Sequence, residues 1–151
     1  MDKSGLNELI ERPVQDVSLD FFEELGDGDI LFIDSTHVLK IGSDVQYEYL
    51  EILPRLNHGV VVHVHDIFIP GEYPREWIDR SRFFWNEQYI LQAFLAFNRE
   101  YEVIWPGRFL QLFHADALRS AFPAFASSPK THSSFWLQRT KQEQSACIAG
   151  T

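Results

Sequence analysis

Cysteine is nearly absent. The 151 residues hold one, Cys147, so no internal disulfide can staple the fold, and a reducing, cytoplasmic compartment fits. Basic residues are also scarce, 13 Lys and Arg against 22 Asp and Glu, and the net charge of −9 has no positive cluster to offset it. A phosphate backbone or an anionic bilayer would meet repulsion, which argues against nucleic acid and membrane as partners. No apolar run approaches the ~20 residues of a membrane span, and the start, MDKSGLNELIERPVQD, has no apolar signal-peptide core. What the chain does have is ring systems: 13 Phe, 4 Trp and 5 Tyr within a 45% hydrophobic composition, too apolar for a disordered chain. The length suits one domain and falls short of the roughly 200 to 250 residues of an eight-fold α/β barrel. Residues 1–139 read as that single domain, and 140–151 as a flexible tail.

Strand and helix patterns alternate, which favours an α/β sheet. Leu6 to Glu11 has the composition of a short strand. Ser18 is placed to cap a helix over LDFFEEL, ended by Gly26 and Gly28. DILFID (29–34) has the continuous apolar centre of a strand covered on both faces. Ser43 with Gln46 opens a second helix to about Leu56, with Val45, Tyr49, Leu53 and Leu56 on one stripe; Asn57, His58 and Gly59 stop it. The strand VVVHVHD follows at once, completing a β-α-β unit with a right-handed crossover. Asn86 is placed to cap a helix through Asn98 with Leu91, Phe94 and Leu95 inward, and strands follow near 102–105 and 133–139.

Within that frame the polar residues gather near strand ends. Asp34 and Asp66 close two neighbouring parallel strands, the edge where open α/β sheets place ligands. Each is equally suited to capping the loop that follows. His37 has the chemistry of a general base or of a third metal ligand, its ordinary pKa of about 6.5 letting the neutral ring take a proton; a loop histidine bonded to backbone is the alternative reading. His63 and His65 alternate onto one face as H-x-H, a Zn²⁺ chelate in principle, although the barrel that uses it needs more chain. His63 reads as core and His65 as a structural residue of the sheet edge. Asp44 balances charge at a helix start. Tyr73, Trp77, Trp85 and Tyr89 follow the same edge and suit an acceptor pocket or a packed lid.

Two motifs, FIDSTHVLKIGSDV and LPRLNHGVVVHVHD, followed by WNEQYILQAFL, resemble the second half of a class I S-adenosylmethionine-dependent methyltransferase domain, in the macrocin and catechol O-methyltransferase branch. The match rests on the spacing of Asp34, His37, Asp44, Gly59, His65 and Asp66 and covers about half the chain. The resemblance implies a partial Rossmann-like, mostly parallel α/β sheet with flanking helices that lacks its first β-α-β half. It implies Asp34 and Asp66 as ligands of Mg²⁺, Asp34 and His37 as catalytic, and His65, Tyr73, Trp77, Trp85 and Tyr89 as the pocket for a small-molecule acceptor. Asp16, in the QD step, and Asp34 would touch the cofactor. Ile67 departs from the catechol type, which has an amide ligand there. The glycine-rich turn that meets the cofactor has no counterpart in residues 1–28, so the resemblance starts this sequence near the third strand: a fragment, a shifted frame or a half-domain with another use. The expected activity is O-methyl transfer, absent in this chain alone; a non-catalytic assembly module and a minimal active enzyme are the alternatives. An uncovered strand 29–34, exposing Leu31 and Ile33, would be repaired by segment 6–11 or by homodimerisation.

Overall fold

The computed structural model describes residues 5–123 and 133–140. The elements are α1 (Leu19–Glu23), β1 (Ile30–Ile33), α2 (Asp44–Tyr47), β2 (Val61–Val64), α3 (Arg75–Asp79), α4 (Glu87–Ala96), β3 (Tyr101–Pro106), α5 (Gly107–Phe113), α6 (Ala115–Ala121) and β4 (Phe135–Arg139). The strand order is β1-β2-β4-β3. β1 and β2 are parallel, and β4 runs antiparallel to both β2 and β3, so three of the four strands point the same way. The alternating pattern predicts this α/β sheet with flanking helices, and the sheet is consistent with the Rossmann-like fold that the resemblance implies. Cys147 and the 141–151 part of the expected tail lie outside the described residues.

One face of the sheet makes the core. The registers Leu31↔Val62↔Leu137 and Ile33↔Val64↔Phe135 line up apolar side chains across three strands. Val45, Tyr49, Ile52, Leu53 and Leu56, all but sealed from solvent, pack in the same cluster with Leu91 of α4. The helix opened by Ser43, whose hydroxyl accepts from Gln46 N, does not keep one pitch: α2 widens to a π turn over Glu48–Ile52 and tightens to a 3-10 turn over Leu53–Arg55. Gly59 joins it to the sheet. Its φ of 86° is a left-handed conformation, its N–H donates to Arg139 O, and a Cβ there would lie 2.1 Å from Asp27 Oδ1.

Four expectations are corrected. Residues 6–11 form no strand, and Leu6 and Leu9 are exposed. β1 is covered on one face only: Ile30 and Phe32 are 56% and 57% exposed, while Leu31 is half-buried and Ile33 buried. The core helices cover only the Leu31/Ile33 face; on the other, Phe32 meets the His63 ring, stacked at 4.2 Å. Asn86 does not cap α4, because its side chain is used on the loop before α2, with Oδ1 accepting from Leu39 N at 2.6 Å. Finally, two short helices, α3 and α5, form where none was expected; α5 packs on β3 and β4, close enough that a side chain on Gly107 would strike Ser134 O.

Candidate functional site

The parallel register ends with Ile33 opposite Val64, so the chain leaves both strands side by side. Beyond β1, Asp34 is exposed, and a short turn brings His37 back beneath it. Asp44 fixes that turn by accepting from Thr36 N at 2.8 Å and Thr36 Oγ1 at 2.6 Å. Burial alone would raise the Asp44 carboxyl, but these bonds outweigh it and hold it below the usual range. Its role is the turn.

His37 is 4% exposed and adopts φ 58°. Its Nδ1 lies 2.7 Å from Glu87 Oε2, its Nε2 lies 3.5 Å from Asp34 Oδ1, and its ring tilts against Trp85 at 4.2 Å. Burial pulls its pKa down, yet the bond and charge of Glu87, with the charges of Asp66 and Asp34, raise it overall. Glu87 is fully buried, and its other oxygen accepts from Tyr49 OH at 3.1 Å. Glu48, also buried, has one oxygen without a partner. Burial first, then the charges of Glu87 and Asp44, push its carboxyl up to about 7 against the pull of Ser35 and His37.

At the end of β2, Asp66 also adopts a left-handed conformation, φ 54°, and accepts from Ser133 Oγ at 2.9 Å. Among the described residues the non-glycine positions with positive φ are His37, Asp66 and Arg82. Asp and His tolerate this region better than most side chains, and such conformations cluster at functional sites. The next residue, Ile67, is fully buried.

The structure brings together Asp34, His37 and Trp85, and its electrostatics tie Asp66 to them. Tyr73, Trp77, Trp85 and Tyr89 are linked ring to ring, with Phe68 and Phe83 joining the edge-on and stacked contacts. A shallow pocket of about 370 Å³ opens beside this cluster, lined by Tyr73, Phe84, Trp85 and Tyr89 among others. His65 is not part of it. Its ring stacks with Phe32 and His63 on the other face of the sheet, and its Nδ1 is 3.3 Å from His63 Nε2. Asp16 is exposed, and its neighbour Gln15 reaches back to donate to Gly42 O. Gln15, Asp34, Ser35, Lys40 and Glu48 line an open cleft of about 580 Å³ at the end of β1.

Sequence reasoning missed Glu87, Glu48 and Tyr49 as site residues. The signal was present: Glu87 stands on the same stripe as Leu91 and Phe94, and a charge on an apolar stripe calls for a buried partner.

Among the described residues no three His, Cys, Asp or Glu side chains gather so as to hold a metal ion. Of the two carboxylates at the strand ends, Asp34 is open to solvent, while Asp66 Oδ1 accepts from Ser133 Oγ. No helix among the described residues is long and apolar enough to cross a membrane.

Residues 2–67 match the sequence profile of a methyltransferase domain family. The match runs from the N-terminal segment through β1 and β2 to the residue after Asp66, and over it the chain is methyltransferase-like. Searches of the curated proteins and of the solved structures each found no match.

Proposed function

We propose that this chain forms the acceptor side of an S-adenosylmethionine-dependent O-methyltransferase domain, corresponding to the second half of that fold in the macrocin and catechol branch. The observation that carries the reading is His37, buried at the ends of two parallel strands, held on Nδ1 by Glu87 and facing Asp34 with Nε2. Such a ring can take the proton of an acceptor hydroxyl at Nε2, and the imidazolium formed is then stabilised by the carboxylates around it. Bound S-adenosylmethionine would supply the methyl group, and Asp34 with Gln15 would line its cleft. A Mg²⁺ ion would rest on Asp34 and Asp66 and acidify the hydroxyl. Among the described residues ahead of β1 there is no strand and hence no glycine-rich turn following one, so cofactor affinity in this chain is expected to be weak.

Titration with S-adenosylhomocysteine, followed by amide NMR and calorimetry, tests both parts. Shifts at Gln15, Asp34 and Ser35 with millimolar affinity are expected. Micromolar affinity would overturn the acceptor-side assignment, and no shift at these residues at saturating ligand would overturn the methyltransferase reading.

A further inference from the structure

The motif Trp85-Asn86-Glu87-Gln88 has a task at every position. Trp85 packs on the His37 ring; Asn86 accepts from Leu39 N; Glu87 holds His37 Nδ1; and Gln88 accepts from Phe68 N while its amide donates to Gly71 O. The backbone does the same, since the N–H groups of Asn86 and Glu87 lie 3.0 and 3.2 Å from His37 O. One turn at the start of α4 thus ties down the loop after β1 and the loop after β2. A helix start usually keeps its acid in solvent, where it balances the backbone dipole. Here the acid is fully buried and both its oxygens are engaged, by a histidine and a tyrosine.

We infer that Glu87 is the positioning residue of the site: by accepting from His37 Nδ1–H it fixes the tautomer and turns the free Nε2 toward Asp34 and the acceptor edge. A carboxylate that accepts holds the proton on the nitrogen beside it, and Glu87, buried and 2.7 Å from Nδ1, outcompetes Asp34, exposed and 3.5 Å from Nε2, so Nε2 is left for chemistry. Tyr49, donating to the second oxygen, sets the carboxylate plane. The inference rests on the reading of His37 as the base, but its test uses neither cofactor nor acceptor and so fails or holds separately.

The experiment is long-range ¹H–¹⁵N NMR of the imidazole rings in the full 151-residue chain, at a pH where His37 is neutral, with its signals assigned by their loss in His37→Gln. The expected wild-type result is a ring protonated on Nδ1. In Glu87→Gln the amide can turn and donate, and the ratio of the two tautomers should move by roughly tenfold toward Nε2–H, the scale of one lost charge-assisted bond. A wild-type ring protonated on Nε2 overturns the inference, and this measurement stands even if the variant does not fold. A folded Glu87→Gln with a lower melting temperature and an unchanged tautomer overturns it as well, because Glu87 would then be structural only.

Discussion

Glu48 makes the native protein pH-sensitive in a direction opposite to that of a salt-bridged carboxylate. Its carboxyl is moved from an ordinary value of 4.5 up to about 7 by burial and by the charges of Glu87 and Asp44. Below pH 4.5 both the folded and the unfolded chain hold the proton, and the group costs nothing. Between 4.5 and 7 the unfolded chain releases it while the folded chain retains it, so stability falls as pH rises, at about 1.4 kcal/mol per pH unit. Above 7 the folded chain ionises too and the loss levels off near about 3 kcal/mol. Glu48→Gln keeps the shape and removes the ionisation. Its amide must still find a partner beside the oxygen that lacks one, which reduces the gain, so the variant should be more stable than wild type by about 1 to 3 kcal/mol at pH 8 and no more stable at pH 4. Urea denaturation of both proteins at several pH values between 4 and 9 measures the difference. A difference that stays constant across that range would refute the reasoning, since Glu48 would then carry the same charge folded and unfolded.

Mg²⁺ or Mn²⁺ should raise the melting temperature by mass action, and Asp66→Asn should abolish the rise; an equal rise in the variant removes Asp66 as a ligand. Tyr101→Phe loses the bond from its buried hydroxyl to Leu53 O and should cost about 0.5 to 1.5 kcal/mol in denaturant unfolding, with no change refuting the bond's importance. Gly59→Ala forces a Cβ into a left-handed position against Asp27 and should cost at least about 1 to 2 kcal/mol by the same measurement, with a neutral result placing Gly59 in another conformation. Size exclusion with light scattering should find a homodimer that Phe32→Ser weakens, and a 17.6 kDa monomer at micromolar wild-type concentration would refute pairing through this face.

Local chemistry carried much of this fold. The β-branched run 60–66, the Ser43 cap with its stripe of Val45, Tyr49, Leu53 and Leu56, and the α4 stripe through Leu91 each announce an element through periods of 2 or 3.6, and each is present. Asp34, His37 and Asp66 were legible as residues ending strands or following one closely. What was not legible are the relations that cross the chain. His37 and Glu87 are 50 residues apart, and no periodicity reports that the acid of one helix start lies under the histidine of a distant loop. Asn86 looked like a cap because a cap is the local use of an asparagine before a helix, and the tertiary bond to Leu39 displaced it. The resemblance assigned His65 to the acceptor pocket, but the alternation that sets it on the His63 face prevails, and its ring stacks there with Phe32 and His63.

β1 is the outermost strand on its side of the sheet among the described residues, and two of its residues, Phe32 and Ile33, line the same cleft as Asp34. A strand added to that edge would lie one ladder spacing, ~4.8 Å, from β1 and so beside these cleft-lining residues. A strand there that touched a molecule in the cleft would link the two occupancies, and the linkage would be reciprocal: by whatever factor pairing at β1 changed affinity for that molecule, the molecule would change the strength of pairing by the same factor.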